Sequence, residues 1–326
     1  MSPLFHRRSE EEKQADNAAK LARAEAAERS AQREVQSLER IEQGRIPLAA
    51  AERMRGYGEA ASGKAFSSDL AVNEWSALAR LGGRPITQVM GSSIFKVGWQ
   101  PTYYNVPTEV RVLSDAYNEC RRLALNRLLE EAQLCGADAV LAVRIEQGAH
   151  DWAPGALEFI AIGTAVRLPE AMREPGTTVL CDLDGQEFVQ LCEAGVRPVG
   201  IAAHTSVHYV PATGQTQMAQ STVGGLFGGV GGSWTNQELV GFTQGVYEAR
   251  EKAMAFASAQ AQQLGGNGLI GVQVGEHGRT HEVRRGMMDT RDLEITFHVM
   301  GTVIREDPTL ATDPAQRTPV QILRLN

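Results

Sequence analysis

The sequence predicts an α+β protein made of two copies of one unit, preceded by a charged helical arm. Three internal matches carry that reading. Residues 116–148 read as a helix, a glycine turn and a buried strand. Moved forward by 129 positions, their Glu119, Arg121, Ala124, Ala132, Gln133, Gly136 and Val143 fall on Glu248, Arg250, Ala253, Ala261, Gln262, Gly265 and Val272. Residues 66–95 moved by 113 positions place Asp69, Leu70, Glu74, Leu78, Gly82, Arg84, Pro85 and Ser93 on Asp182, Leu183, Glu187, Leu191, Gly195, Arg197, Pro198 and Ser206. The closing segments LEFIAIGTAVRL and LEITFHVMGTVIRE share Phe159/Phe297, Gly163/Gly301, Thr164/Thr302 and Arg167/Arg305. Ungapped identity with glycine and proline kept at the boundaries is the mark of duplication.

The bulk composition is ordinary for a globular chain: 326 residues, 43% hydrophobic and 22% charged. A formal net charge of −7 argues against nucleic acid as a partner, since phosphate binding needs a concentrated basic face. The four cysteines, Cys120, Cys135, Cys181 and Cys192, have no C-x-x-C spacing and suit a reducing compartment. MSPLFHRRSEEEK lacks an apolar signal core, and no apolar run approaches the ~18 residues of a membrane span. A cytoplasmic protein with no transmembrane segment is expected.

Residues 1–65 form the charged arm and a linker. From residue 9 to Gly44 the chain is rich in Ala, Glu and Arg, with opposite charges four apart such as Glu25–Arg29. Leu21, Val35, Leu38 and Ile41 make a thin stripe without a sustained heptad, so the arm is either a solvated helix or a coiled-coil contact for a partner. Gly44 and Pro47 break it, and residues 44–65 are expected to loosen.

Residues 66–168 are the first unit and 179–305 the second. Each opens with a short helix. In the second, Asp184 and Glu187 form a D-x-x-E capping pattern, while the repeated Asp69–Glu74 and Asp182–Glu187 pairs also read as capping groups rather than as an acid–base pair. Gly82 and Gly195 suit the left-handed residue that ends these helices, with Pro85 and Pro198 just beyond. A strand follows, over 86–89 and 199–202. Next comes a loop, 16 residues longer in the second unit. The long helix then places Cys120, Ala124, Leu128, Ala132 and Cys135 on one face and Glu119, Arg122, Asn126, Glu130 and Gln133 on the other. ADAVLAVRI is too continuously apolar to have one face in water, and it pairs with the closing segment as a hairpin.

Each unit is thus a short helix, then strand, helix, strand and strand, with a three-stranded sheet. One helix leaves a sheet face uncovered, so either the two units pack together or neighbouring subunits complete the sheets. Residues 306–326, with Pro308, Pro314 and Pro319, are an extended tail.

GADAVLAVRI (136–145) and its hairpin EFIAIGTAVRL resemble the YbjQ-like family, bacterial proteins whose label is putative heavy-metal-binding domain. The longer arrangement from DLAVNEWSALARLGGRPITQVMGSSIF onward is similar to tandem members. The resemblance implies a β-α-β-β unit and a homo-oligomeric, pentamer-like ring. The second unit departs from the pattern with GGNG at 265–268 where the first has CGAD.

For metal chemistry the candidates are His204, His208, His277 and His281, since a divalent ion is the one cofactor that histidines clustered in one unit suggest. His204 and His208 on a strand share a face but stand about 13 Å apart. For membrane or partner contact the candidates are Leu226, Phe227 and Trp234 in the Gly-rich loop 224–234, which has neither the Lys-Ser/Thr of a P-loop nor the spacing of a dinucleotide turn. No nucleophile–base constellation is discernible. The reading is a non-enzymatic ring-forming scaffold or binding protein, the alternatives being metal binding through the histidines and membrane association through the loop.

Overall fold

The computed structural model describes residues 10–58, 65–101, 103–149, 155–214, 216–217, 238–285 and 288–310. Along the chain run α1 (Glu10–Glu42), α2 (Leu48–Gly58), α3 (Val72–Arg80), β1 (Arg84–Lys96), β2 (Thr108–Glu109), α4 (Arg111–Leu134), β3 (Ala139–Ala149), β4 (Ala156–Arg167), β5 (Val179–Leu180), α5 (Gly185–Glu193), β6 (Val196–Val210), α6 (Val240–Gln263), β7 (Gly268–Arg285) and β8 (Met288–Glu306). The architecture is mixed α+β, with two sheets in the orders β1-β4-β3-β5 and β2-β6-β8-β7.

Among the described residues each sheet has four strands rather than three, and the extra strand comes from the far half of the chain. Thr108 and Glu109 of β2 pair with Tyr209 and His208 of β6. Val179 and Leu180 of β5 pair in parallel with Ala139 and Val140 of β3. Two residues carry no detectable period, so the sequence pattern could not announce either strand. The first strand of each unit also runs well past the four residues expected, because β4 and β8 supply backbone partners along its whole length. Pro85 and Pro198 sit at register breaks in these strands, where a missing N–H costs no ladder bond.

The face of α4 carrying Cys120, Ala124, Leu128 and Ala132 is wholly buried on β1 and β4. Its other side meets β6 through Ser114, Asn118 and Arg121. Beyond the second sheet, Ala249, Ala253, Ala257 and Ala261 of α6 pack on β6 and β8. α4 thus lies on a face of the first sheet and along the free edge of β6, and α6 covers the second sheet.

The helix α5 is capped as its sequence directs. The Asp184 carboxylate accepts from the Gln186 and Glu187 amides at 2.7 and 2.8 Å, and Glu187 reaches back to the Asp184 N–H at 3.2 Å. Gly82 and Gly195 take φ of 82° and 79°. Within residues 44–65, read as linker, Leu48–Gly58 is helical: Pro47 starts the helix and LAAAERMRGYG is rich in helix formers. Ala51 and Met54 bury it against α4.

Candidate self-assembly interface

The seam between the two halves is where the buried chemistry lies. Asn118 of α4 treats β6 as a strand would: its amide group donates to the Thr205 carbonyl at 2.9 Å, and its oxygen accepts from the Thr205 N–H at 2.9 Å. Ser114 Oγ accepts from the Val207 N–H at 2.9 Å. Arg121, only 5% exposed, donates to Thr205 Oγ1 at 2.7 Å and to the Asn118 oxygen. Burial pulls this guanidinium down to about 10. On the same face, His298 Nδ1 lies 2.8 Å from Thr205 Oγ1, with the Tyr117 ring edge-on at 5.4 Å. Burial, then the Arg121 charge, lowers the His298 imidazole to about 4. A cavity of about 660 Å³ opens beside Arg121, lined by Ile201 and Ala203 of β6 and Gln260 of α6.

The second part of the seam is backbone. The register of β3 breaks between Leu141 and Arg144, and Ala142 takes φ 52°, the sole positive φ outside glycine among the described residues. The bulge points its amides at the segment around β5. Ala142 N–H donates to the Leu183 carbonyl at 2.9 Å and Val143 N–H to the Cys181 carbonyl at 3.0 Å, while Cys181 N–H returns to the Val140 carbonyl at 2.9 Å. Leu78, Leu141, Val166, Cys181 and Phe188 close over it as one apolar cluster.

Among the described residues the second sheet repeats the bulge without the cover. Its register breaks between Ile270 and Gln273 with Gly271 at φ 62°, but β7 is the last strand in its sheet. Beside each bulge stands the repeated aspartate. Asp69 and Asp182 each donate their N–H to Thr164 or Thr302 Oγ1, at 3.0 and 3.1 Å. The aspartates therefore do not cap. The N-caps are Ala71 and Asp184, two residues farther on, so only Glu74 and Glu187 of the repeated pairs reach a helix start. Asp69 pairs with Arg144, whereas the position matching Arg144 in the second unit is Gln273. Asp182 Oδ2 is left buried with no hydrogen-bond partner among the described residues, and burial raises its carboxyl.

The four candidate histidines do not meet. His204 and His208 face α6, where His204 stacks on the Phe256 ring at 4.3 Å and burial lowers its imidazole to about 4. His208 Nε2 is buried without a partner among the described residues. His277 and His281 lie on the opposite face, as their pairing with Thr296 and Asp292 requires, since His208 pairs with Ile295. His281 Nε2 stands 3.2 Å from Glu294, out of hydrogen-bond alignment. Among the described residues no three His, Cys, Asp or Glu side chains gather as a metal set, so these histidines do not fit one shared ion. Leu226, Phe227 and Trp234, with the loop 224–234, lie outside the described residues, as does the tail beyond residue 310. No described helix is long and apolar enough to cross a membrane.

The arm is tied to α4 by charge. Glu130 accepts from Arg40 at 2.8 Å, from Arg45 and from the Ile46 N–H at 2.8 Å, pinning the α1–α2 elbow on α4. Glu131, 3% exposed at its side chain, accepts from the Met90 N–H at 2.9 Å and pairs with Arg53. Arg121, Asn118 and Ser114 were missed as seam residues because polar groups on a helix read as its wet face; only the repeat of Arg121 as Arg250 gave a hint.

The model of a family described as "Putative heavy-metal-binding" matches residues 87–169. Over 213 residues the chain is 35% identical to an encapsulin nanocompartment protein of Mycobacterium tuberculosis, which spans 64% of this chain and 77% of that one. Over 60 residues it is 43% identical to a UPF0145 protein of Clostridium novyi, covering 18% of this chain and 56% of the relative. A UPF0145 protein of Methanococcus vannielii is similar over the same length at 42%, with 55% of it covered. The chain thus spans about half the length of these shorter relatives.

Proposed function

Because the chain belongs to the YbjQ-like family, we propose that it is a non-enzymatic scaffold that assembles from copies of itself into a closed ring. One observation carries this reading. The internal seam covers the bulged edge of β3 and the strand β6, and among the described residues their repeats, the bulged edge of β7 and Ile94 of β1, are left uncovered. An end that repeats the partner of the other end makes a head-to-tail contact, and such contacts close as rings when the rotation allows. The naming of the mycobacterial relative as a nanocompartment protein supports self-assembly. Five chains is the stoichiometry that the resemblance implies. The two units are read as tandem YbjQ-like domains over 66–168 and 179–305, and α1, with Leu21, Val35 and Leu38 exposed, as the surface for a further helix.

Native mass spectrometry of untagged protein purified without chelator tests the proposal. A multi-subunit mass free of metal is expected. A bare monomer at micromolar concentration would sink the scaffold, and a stoichiometric metal mass would move the assignment to metal binding, with His281 beside Glu294 the first pair to substitute.

A further inference from the structure

Resting on the scaffold reading, we infer that residues 66–70 of one copy dock as a short parallel strand on the open edge of β7 in the next, in the register that β5 uses on β3. The inference comes from applying the two repeat offsets to the internal seam. The segment 179–183 corresponds to 66–70 by the shift of 113, and β3 corresponds to β7 by the shift of 129. Val179 and Cys181 donate to the Asp138 and Val140 carbonyls, and Cys181 and Leu183 accept from Val143 and Ala142. Transposed, Phe66 and Ser68 donate to the carbonyls of Asn267 and Leu269, and Ser68 and Leu70 accept from the amides of Val272 and Gly271.

Burial supports the transposition position by position. At the seam Phe188 is 2% exposed, Val143 1% and Val207 0%. Their counterparts Trp75, Val272 and Ile94 are 45%, 38% and 54% exposed. An apolar side chain that is buried in one copy of a repeat and wet in the other marks a surface awaiting the same cover. Phe66 and Val272 are both exposed, so the two surfaces are not satisfied by each other within one chain. The receiving backbone is already shaped: Gly271 holds φ 62° where Ala142 holds φ 52°, so both bulges aim amides outward before any partner arrives. The donating backbone is held as well, since Asp69 is bonded to Thr164 just as Asp182 is to Thr302. A second copy of this chain is the occupant that fits, because it alone carries the segment that continues an interface already built inside the molecule.

The test uses full-length protein. Ser67 and Leu269 match the paired Leu180 and Val140. Co-expressed Ser67→Cys and Leu269→Cys chains, oxidised, are expected to give a disulfide-linked dimer that neither variant forms alone, with Ser67→Cys and Glu276→Cys giving none. Trp75→Arg, at a side chain already exposed in the single chain, is expected to reduce assembled mass at least tenfold while leaving the far-UV spectrum unchanged. An assembly that withstands Trp75→Arg, or one that yields no Ser67–Leu269 cross-link, overturns this contact and leaves the scaffold standing. A wild-type monomer overturns both.

Discussion

Asn118 and Thr205 are joined by two hydrogen bonds that run in opposite directions, each 2.9 Å long, so that a helix side chain completes the backbone of a strand in the other half of the molecule. Substituting Asn118 leaves a buried donor and a buried acceptor without partners, and also strips Arg121 of one of its acceptors. The expected cost of Asn118→Ala is about 2–4 kcal/mol. A urea titration followed by tryptophan fluorescence checks it; an unchanged midpoint would show that water reaches the seam.

Two histidines give the protein an acid sensitivity with a defined sign. In the folded chain burial holds His204 and His298 neutral, lowering each from 6.5 to about 4. In the unfolded chain both take up a proton near 6.5. The stability they contribute is therefore fully present above about pH 6.5 and is lost progressively as the pH falls toward about 4. Denaturant midpoints measured across that window should decline with falling pH, with a shallower decline in His298→Gln. Imidazole NMR titrations centred near 6.5 would contradict this account.

Ala142 is an L-residue in a backbone region that suits glycine, and the equivalent position in the second sheet is Gly271. Relief of that strain exceeds the entropy that glycine adds to the unfolded chain. Ala142→Gly is therefore expected to raise stability by about 0.5–1 kcal/mol. Calorimetry reads this directly, and a lower melting temperature would mean that the Ala142 methyl contributes more than its backbone costs.

Glu130 alone holds three groups of the α1–α2 elbow. In Glu130→Ala, hydrogen exchange should quicken across Arg40–Ile46, with β3 and β4 unaffected. Unchanged exchange at the elbow would assign its order to Arg127, which donates to the Ile41 and Arg45 carbonyls, and to the buried Ala51 and Met54 instead.

How much of this was legible in the sequence depends on what each residue announces locally. The cap at Asp184, the turns at Gly82 and Gly195 and the buried stripe through Cys120, Ala124, Leu128 and Ala132 all declare themselves within a few positions, and the structure has them all. What escaped was the exchange between halves. Thr108–Glu109 and Val179–Leu180 are strands only because an edge elsewhere accepts them, and no local period encodes that. The second buried side of α4 escaped for a related reason. Ser114, Asn118 and Arg121 are polar because they meet a strand backbone, and that pattern is indistinguishable from one meant for water. The four candidate histidines were drawn from one unit by composition, and alternation along β6 and β7 sends them to opposite faces.

The loan of β5 to β3 also sets an order of events during synthesis. A nascent chain that has reached residue 170 holds every other strand of the first sheet, yet the amides of Ala142 and Val143 have no acceptor until Cys181 and Leu183 have emerged. Through that interval the ribosome carries a half-molecule with an open β-edge, and the first half is sealed only by the leading residues of the second.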